Sequence, residues 1–255
     1  MSTQDGEAGR ERAPLLYRVL HAIVPAVLNA MYRPEVEGLE HVPERGPAIL
    51  ASNHLSTLDV LIMPSVLERP VYFLAKSEYF RGPAKPLFEN LGVIPVPRTG
   101  GDAAEASLAK GGEILGQGHL LGIYPEGTRS PDGRLYRGKT GPVRLALRTG
   151  VPVVPVAMRG TFETMPPGAR LPRLKQVGVR FGEPLDFSRY AGHADDRFAL
   201  RSATDELMYE LMLLSGQEYV DEYAAAVKAA GGRPEALDEL GQVLDDDPFE
   251  IPRAS

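Results

Sequence analysis

Two short runs carry residues able to do chemistry. In Asn53-His54-Leu55-Ser56-Thr57-Leu58-Asp59 a histidine stands five residues before an aspartate, and in Tyr124-Pro125-Glu126-Gly127-Thr128-Arg129-Ser130 a glutamate and an arginine share a Pro/Gly turn. A histidine with an ordinary pKa near ~6.5 accepts a proton at neutral pH and returns it, as a hydroxyl attacking a thioester requires. His54 is the candidate base, and Asp59 could fix its tautomer and stabilise the imidazolium. Arg129 can make charge-assisted, bidentate bonds to a phosphate, and Gly127 lets backbone approach a ligand closely. A proton acceptor, a carboxylate to orient it and a cation for an anionic substrate outline an acyl-transfer site.

The first run resembles the His-x4-Asp block of the glycerolipid acyltransferases, and the second resembles their Pro-Glu-Gly-Thr-Arg block. Two weaker blocks stand in the expected order, Gly92-Val93-Ile94-Pro95-Val96-Pro97-Arg98 between them and Val151-Pro152-Val153-Val154-Pro155-Val156 after them. The resemblance spans residues 35 to 185. It implies that the turn with Gly127, Thr128 and Arg129 binds the acceptor's phosphate while Glu126 positions the site, and that Arg98 is a further phosphate ligand. It implies an acyl group moved from acyl-CoA or acyl carrier protein to a lysophospholipid, 1-acylglycerol 3-phosphate first among the acceptors, with no cofactor beyond the donor. The implied setting is cytoplasmic, peripheral on the inner face of a membrane, with no nucleic-acid partner.

Plainer readings compete for these residues. Ser56 with Asp59 three positions on suits a capping arrangement at a helix start, and both roles can hold at once. A Glu126/Arg129 pair could simply stiffen a turn. Lys139, a possible anion ligand, lies in a basic stretch with Arg134, Arg137, Arg144 and Arg148 that would meet phosphate, a nucleotide or lipid head groups, or serve as a solvated face. Gly133-Arg134-Leu135-Tyr136-Arg137-Gly138-Lys139-Thr140 also fits the Walker A pattern. A P-loop should leave a strand directly and open a helix, whereas here a Pro/Gly turn precedes the run and Gly141-Pro142 follows it. A noncatalytic lipid-binding protein on the same scaffold is the alternative of a different class; retention of His54 speaks against it.

Composition bounds these readings. A chain of 255 residues, 43% hydrophobic, can bury a core. The absence of cysteine excludes disulfides, thiolate metal sites and a thiol nucleophile, so any acyl thioester belongs to a donor. Neither a Gly-x-Ser-x-Gly elbow nor a His-Glu-x-x-His cluster occurs, so no metal site is expected. The net charge of −6 comes from residues 235–255, with seven acids and one base; the rest carries 27 charges of each sign.

The elements that must position the site follow from periodicity. Leu15, Val19, Ile23, Val27 and Met31 fall four apart, which predicts an amphipathic helix through Tyr32 with Pro25 inside it. At 18 residues, broken by Arg18, His21, Pro25 and Asn29, it barely reaches the length a bilayer span takes, so a transmembrane helix is the weaker reading. It either docks on a membrane surface or packs on its own domain. Strands are expected at 48–51, 71–75, 119–124, 152–157 and 177–181, and helices at 58–67, 103–115, 142–148 and 195–214. This alternation predicts an α/β fold with a largely parallel sheet flanked by helices, and the resemblance implies one similar to that of glycerol-3-phosphate acyltransferase. Residues 1–33 read as tail and amphipathic helix, 34–215 as the acyltransferase domain, and 216–255 as a helical segment at 217–230 with an acidic tail.

Overall fold

Strands with apolar residues on both faces need cover on both sides, and the arrangement supplies it. In the computed structural model, which describes residues 15–76, 92–96 and 103–231, seven strands form one sheet. They are β1 (Glu35–Glu37), β2 (Ala48–Ser52), β3 (Val71–Lys76), β4 (Val93–Val96), β5 (Leu120–Ile123), β7 (Val153–Arg159) and β8 (Gly178–Phe181), in the order β1-β8-β7-β2-β5-β3-β4. Two-residue strands β6 (Leu135–Tyr136) and β9 (Tyr219–Val220) pair separately, in parallel. In the large sheet every pairing is parallel except β7 with β8, so the expected α/β architecture is found.

Helices α1 (Leu15–Tyr32) and α2 (Asp59–Ser65) cover one face; α3 (Ala103–Gly116), α4 (Gly141–Thr149) and α6 (Arg197–Ser215) cover the other. Every residue of β2 is buried, and its side chains divide alternately between the two clusters: Ala48 and Leu50 to the first, Ile49 and Ala51 to the second. The α6 start is fixed by Asp196, whose side chain accepts from the N–H groups of Phe198 and Ala199. Short helices α5 (Thr161–Thr164) and α7 (Ala224–Ala229) complete the set used below.

α1 packs against α2, with Tyr32 buried, Leu28 on the core and the Asn29 side-chain N–H donating to the Ser65 carbonyl at 3.0 Å. Its other side leaves Ile23, Val27 and Met31 about half exposed. The helix therefore packs on its own domain along one side and leaves the other bare. No helix among the described residues is long and apolar enough to cross a membrane.

One local expectation needs correction, two strands of the large sheet were not foreseen, and the reading against a phosphate loop holds. Residues 217–230 do not form one helix: β9 comes first, drawn into pairing with β6, and only α7 is helical. The extra strands β1 and β4 escape periodicity. β1 is exposed throughout at the sheet's edge, and β4 carries Pro95, a residue that edge strands tolerate. The Walker-like run is not a phosphate loop, since β6 lies inside it, the Gly138 carbonyl accepts from Arg201, and Lys139 is 6% exposed.

Candidate active site

β2, β5 and β7 run in parallel, so the segments that follow them gather at one carboxyl edge of the sheet. His54 follows β2, Glu126 follows β5 and α5 follows β7. The two motifs, 72 residues apart, meet there: the His54 backbone N–H donates to Glu126 Oε2 at 2.9 Å, and the Ser130 N–H donates to the His54 carbonyl at 2.7 Å.

The aspartate does two jobs with one atom. Asp59 Oδ2 accepts from Leu55 N–H at 2.7 Å, Ser56 N–H at 2.8 Å and His54 Nδ1 at 2.9 Å. It is fully buried and opens α2, whose cap position is Leu58 with no side-chain hydrogen bond; the expected Ser56 cap is therefore not formed, and Ser56 Oγ instead accepts from Leu58 N–H at 3.2 Å in the turn before the helix. Because a carboxylate only accepts, Nδ1 carries the ring proton and Nε2 is left as the basic nitrogen. The ring is 16% exposed. Burial holds its pKa below the ordinary histidine value, with Arg129 and Lys228 pushing the same way and Asp59 pulling against them. A neutral imidazole at neutral pH is the form a general base needs.

The ring face is set from the sheet. Gly122 of β5 has no Cβ to meet the Phe73 ring, which would lie 2.3 Å from one. Phe73 stacks on Tyr124 at 5.9 Å, and Tyr124 stacks on His54 at 3.9 Å with the planes 15° apart.

Glu126 is 1% exposed, and its second oxygen accepts from Tyr136 N–H at 3.0 Å. Both oxygens thus hold backbone, and the carboxyl ties the two motifs together without reaching the surface. Burial raises its pKa to about 8, against the pull of the two N–H groups and Lys228. Gly127 has φ +70°, a left-handed turn that glycine adopts without strain, and a Cβ there would come within 2.9 Å of Lys139 Cε. Lys139 lies behind the turn with its ammonium 5.7 Å from the Tyr223 ring centre. Arg129, partly exposed, donates to Thr57 Oγ1 at 2.9 Å, placing its guanidinium beside the histidine loop. Arg98 lies outside the described residues.

Two contributors were not foreseen. Lys228 of α7 donates to Thr128 Oγ1 at 2.9 Å and to the Arg129 carbonyl, clamping the turn and adding a second cation beside it. Burial and Arg129 lower its pKa, and Glu126 opposes them. Asn53, fully buried, accepts from the Met158 N–H at 2.7 Å and donates to the Met158 carbonyl at 3.0 Å and to Gln217 Oε1 at 2.6 Å. Its place next to His54 is the only sequence signal for that role, and nothing local marks Lys228.

Residues 33–159 match the family model described as Acyltransferase. The chain is 36% identical over 140 residues to a chloroplastic 1-acyl-sn-glycerol-3-phosphate acyltransferase of Brassica napus, covering 54% of this chain and 40% of that protein. It is 34% identical over 131 residues to the 1-acyl-sn-glycerol-3-phosphate acyltransferase of Borreliella burgdorferi, covering 49% and 51%. The chain thus spans about half, or less, of the length of these relatives. The crystal structure of the 1-acyl-sn-glycerophosphate acyltransferase PlsC from Thermotoga maritima superposes with a TM-score of 0.62 at 26% identity, covering 78% of this chain and 79% of that one.

Proposed function

We propose, from the match of residues 33–159 to the Acyltransferase family model, that this chain moves a fatty acyl group from an acyl thioester to the free hydroxyl of 1-acylglycerol 3-phosphate, giving phosphatidic acid. The observation that carries this reading is the His54–Asp59 pair, with Nδ1 engaged and Nε2 left basic, fixed beside a turn that bears Arg129 and is clamped by Lys228 of α7. His54 Nε2 takes the proton of the acceptor hydroxyl as its oxygen attacks the thioester carbonyl. The acyl–oxygen bond forms, the acyl–sulfur bond breaks, and the proton passes from the imidazolium to the departing thiolate. Asp59 stabilises the imidazolium between these steps. Arg129 grips the acceptor's phosphate, and no cofactor beyond acyl-CoA or acyl carrier protein is required. The bare apolar side of α1 suits a peripheral place on the inner face of a membrane, where the acceptor resides.

Incubating the purified protein with labelled palmitoyl-CoA and a panel of lysolipids tests this directly. Phosphatidic acid should form from lysophosphatidic acid in preference to lysolipids with blocked phosphates. His54→Ala should lower turnover by about 10²–10⁴-fold in a folded protein. Arg129→Ala forfeits charge-assisted bonds of about 1.5–3 kcal/mol, raising KM for the acceptor and leaving that of the donor unchanged. A folded wild-type chain that binds lysolipid without transferring an acyl group would support a binding protein instead.

A further inference from the structure

One described stretch at the carboxyl edge that the mechanism does not use is the segment joining α5 to β8. Between 166 and 176 it holds three cations, Arg170, Arg173 and Lys175, and no acid. Leu171 and Leu174, interleaved with them, are 80% and 71% exposed. All three cations are exposed, and none enters an ion pair among the described residues. The segment is nonetheless built. The Arg173 N–H donates to the Thr164 carbonyl at 2.8 Å and closes the loop, while the Ala169 N–H donates to the Pro166 carbonyl at 3.0 Å and turns its tip.

Its anchors explain what it is near. Ser56 Oγ, two residues from His54, donates to the Met165 carbonyl at 2.8 Å. At the other end Gln176 reaches the Arg33 carbonyl, where α1 gives way to β1. Bare leucines alone would fit any apolar partner. Leucines flanked by unpaired cations, between the site and the bare side of α1, fit a surface that is apolar within and anionic at its rim.

We infer that residues 166–176 are a membrane-contacting loop that inserts Leu171 and Leu174 among acyl chains while Arg170, Arg173 and Lys175 hold anionic lipid head groups. It is a contact distinct from α1 and sits at the lip of the site. The inference rests on the proposed lipid acceptor only for its purpose; the contact itself is a property of the loop. Two anchors would fix the tilt of the domain on the lipid, so that an acceptor reaches His54 without leaving the bilayer.

The test uses the full chain and two vesicle types, phosphatidylcholine alone and phosphatidylcholine with an equal part of phosphatidylglycerol. Replacing Leu171 and Leu174 by Ser should weaken binding to the anionic vesicles roughly tenfold or more, and replacing Arg170, Arg173 and Lys175 by Gln should remove most of the preference for them over phosphatidylcholine. Since the chain has no cysteine, Leu174→Cys carrying an environment-sensitive fluorophore should shift to the blue on anionic vesicles. Turnover of a short-chain, water-soluble lysophosphatidic acid should stay within about twofold of wild type in each variant, which shows the fold and chemistry intact. Vesicle binding within twofold of wild type for both variants, or an unshifted fluorophore, would overturn the loop's role. So would a selective rise in KM for acyl carrier protein donors with vesicle binding unchanged, which would make the loop a docking site for an acidic carrier. Absence of acyl transfer by the wild type would sink the proposed function and leave the vesicle comparison standing.

Discussion

Asp59→Asn separates scaffold from chemistry at one atom. Oδ2 accepts three N–H groups, two from backbone and one from the His54 ring. A bond to a charged acceptor contributes about 1.5–3 kcal/mol and one to a neutral acceptor about 0.5–1.5, so neutralising this oxygen weakens each by about 1 kcal/mol. The amide also sets an NH2 where Oδ1 is buried without a partner, while relieving the cost of a buried charge. With these two terms opposed, the loss is about 3 kcal/mol, readable from urea midpoints. Turnover should fall by about 10²–10⁴-fold, because the ring loses its orienting charge. The decisive comparison is the same substitution in a His54→Ala protein. There the stability loss should shrink only to about 2 kcal/mol, since two backbone bonds remain, whereas turnover should fall by less than about threefold further. Equal proportional losses of turnover in both backgrounds would show that Asp59 acts only through the scaffold and has no role on the ring.

The buried carboxyl of Glu126, raised from an ordinary 4.5 to about 8, retains a proton in the folded protein that the unfolded chain releases. Stability should therefore fall as pH rises from about 4.5 to about 8, by about 5 kcal/mol over the window at about 1.4 kcal/mol per unit; Glu126→Gln should flatten the dependence of the urea midpoint on pH, and parallel curves would refute the assignment. Lys228→Met should raise KM for lysophosphatidic acid several-fold. Because the lost cation had lowered His54, whose other charged neighbours are Asp59 and Arg129, the acid limb of the pH–rate profile should also move to higher pH, with Lys228→Arg restoring both. An unmoved limb would reduce Lys228 to a structural brace.

What could be read in advance was local. His54 and Asp59 lie within one turn of chain, so their spacing already implies that a single side chain can serve ring and helix start together. Gly127 was legible as part of a Pro/Gly turn, and its positive φ agrees with that. The five strands expected from apolar runs are present because burial on both faces leaves a dense hydrophobic record, as in β2. What stayed hidden depends on partners far away. Lys228 reads as one lysine on a short alanine-rich helix, and only the fold brings it 100 residues back to Thr128. Glu126 reads as a residue that positions the site or as half of a pair with Arg129 that stiffens a turn; that it is buried and serves two backbone N–H groups shows only in the fold. β6 and β9, two residues each, are too short for any period to show, and the pairing that creates them also dissolves the helix expected at 217–230.

The histidine's attachments have a thermodynamic corollary. Its N–H is held by Glu126, its carbonyl by Ser130, its ring edge by Asp59 and its ring face by Tyr124. A residue so held loses its conformational freedom when the chain folds, not each time a substrate arrives. The chemical step should accordingly carry a small activation entropy from the protein side. Nor can the loop open on its own, since the segment 124–130 and the start of α2 would have to release it together. Exchange of the His54 amide hydrogen with solvent should therefore report unfolding of the sheet as a whole, which makes the reactive centre as durable as the core beneath it.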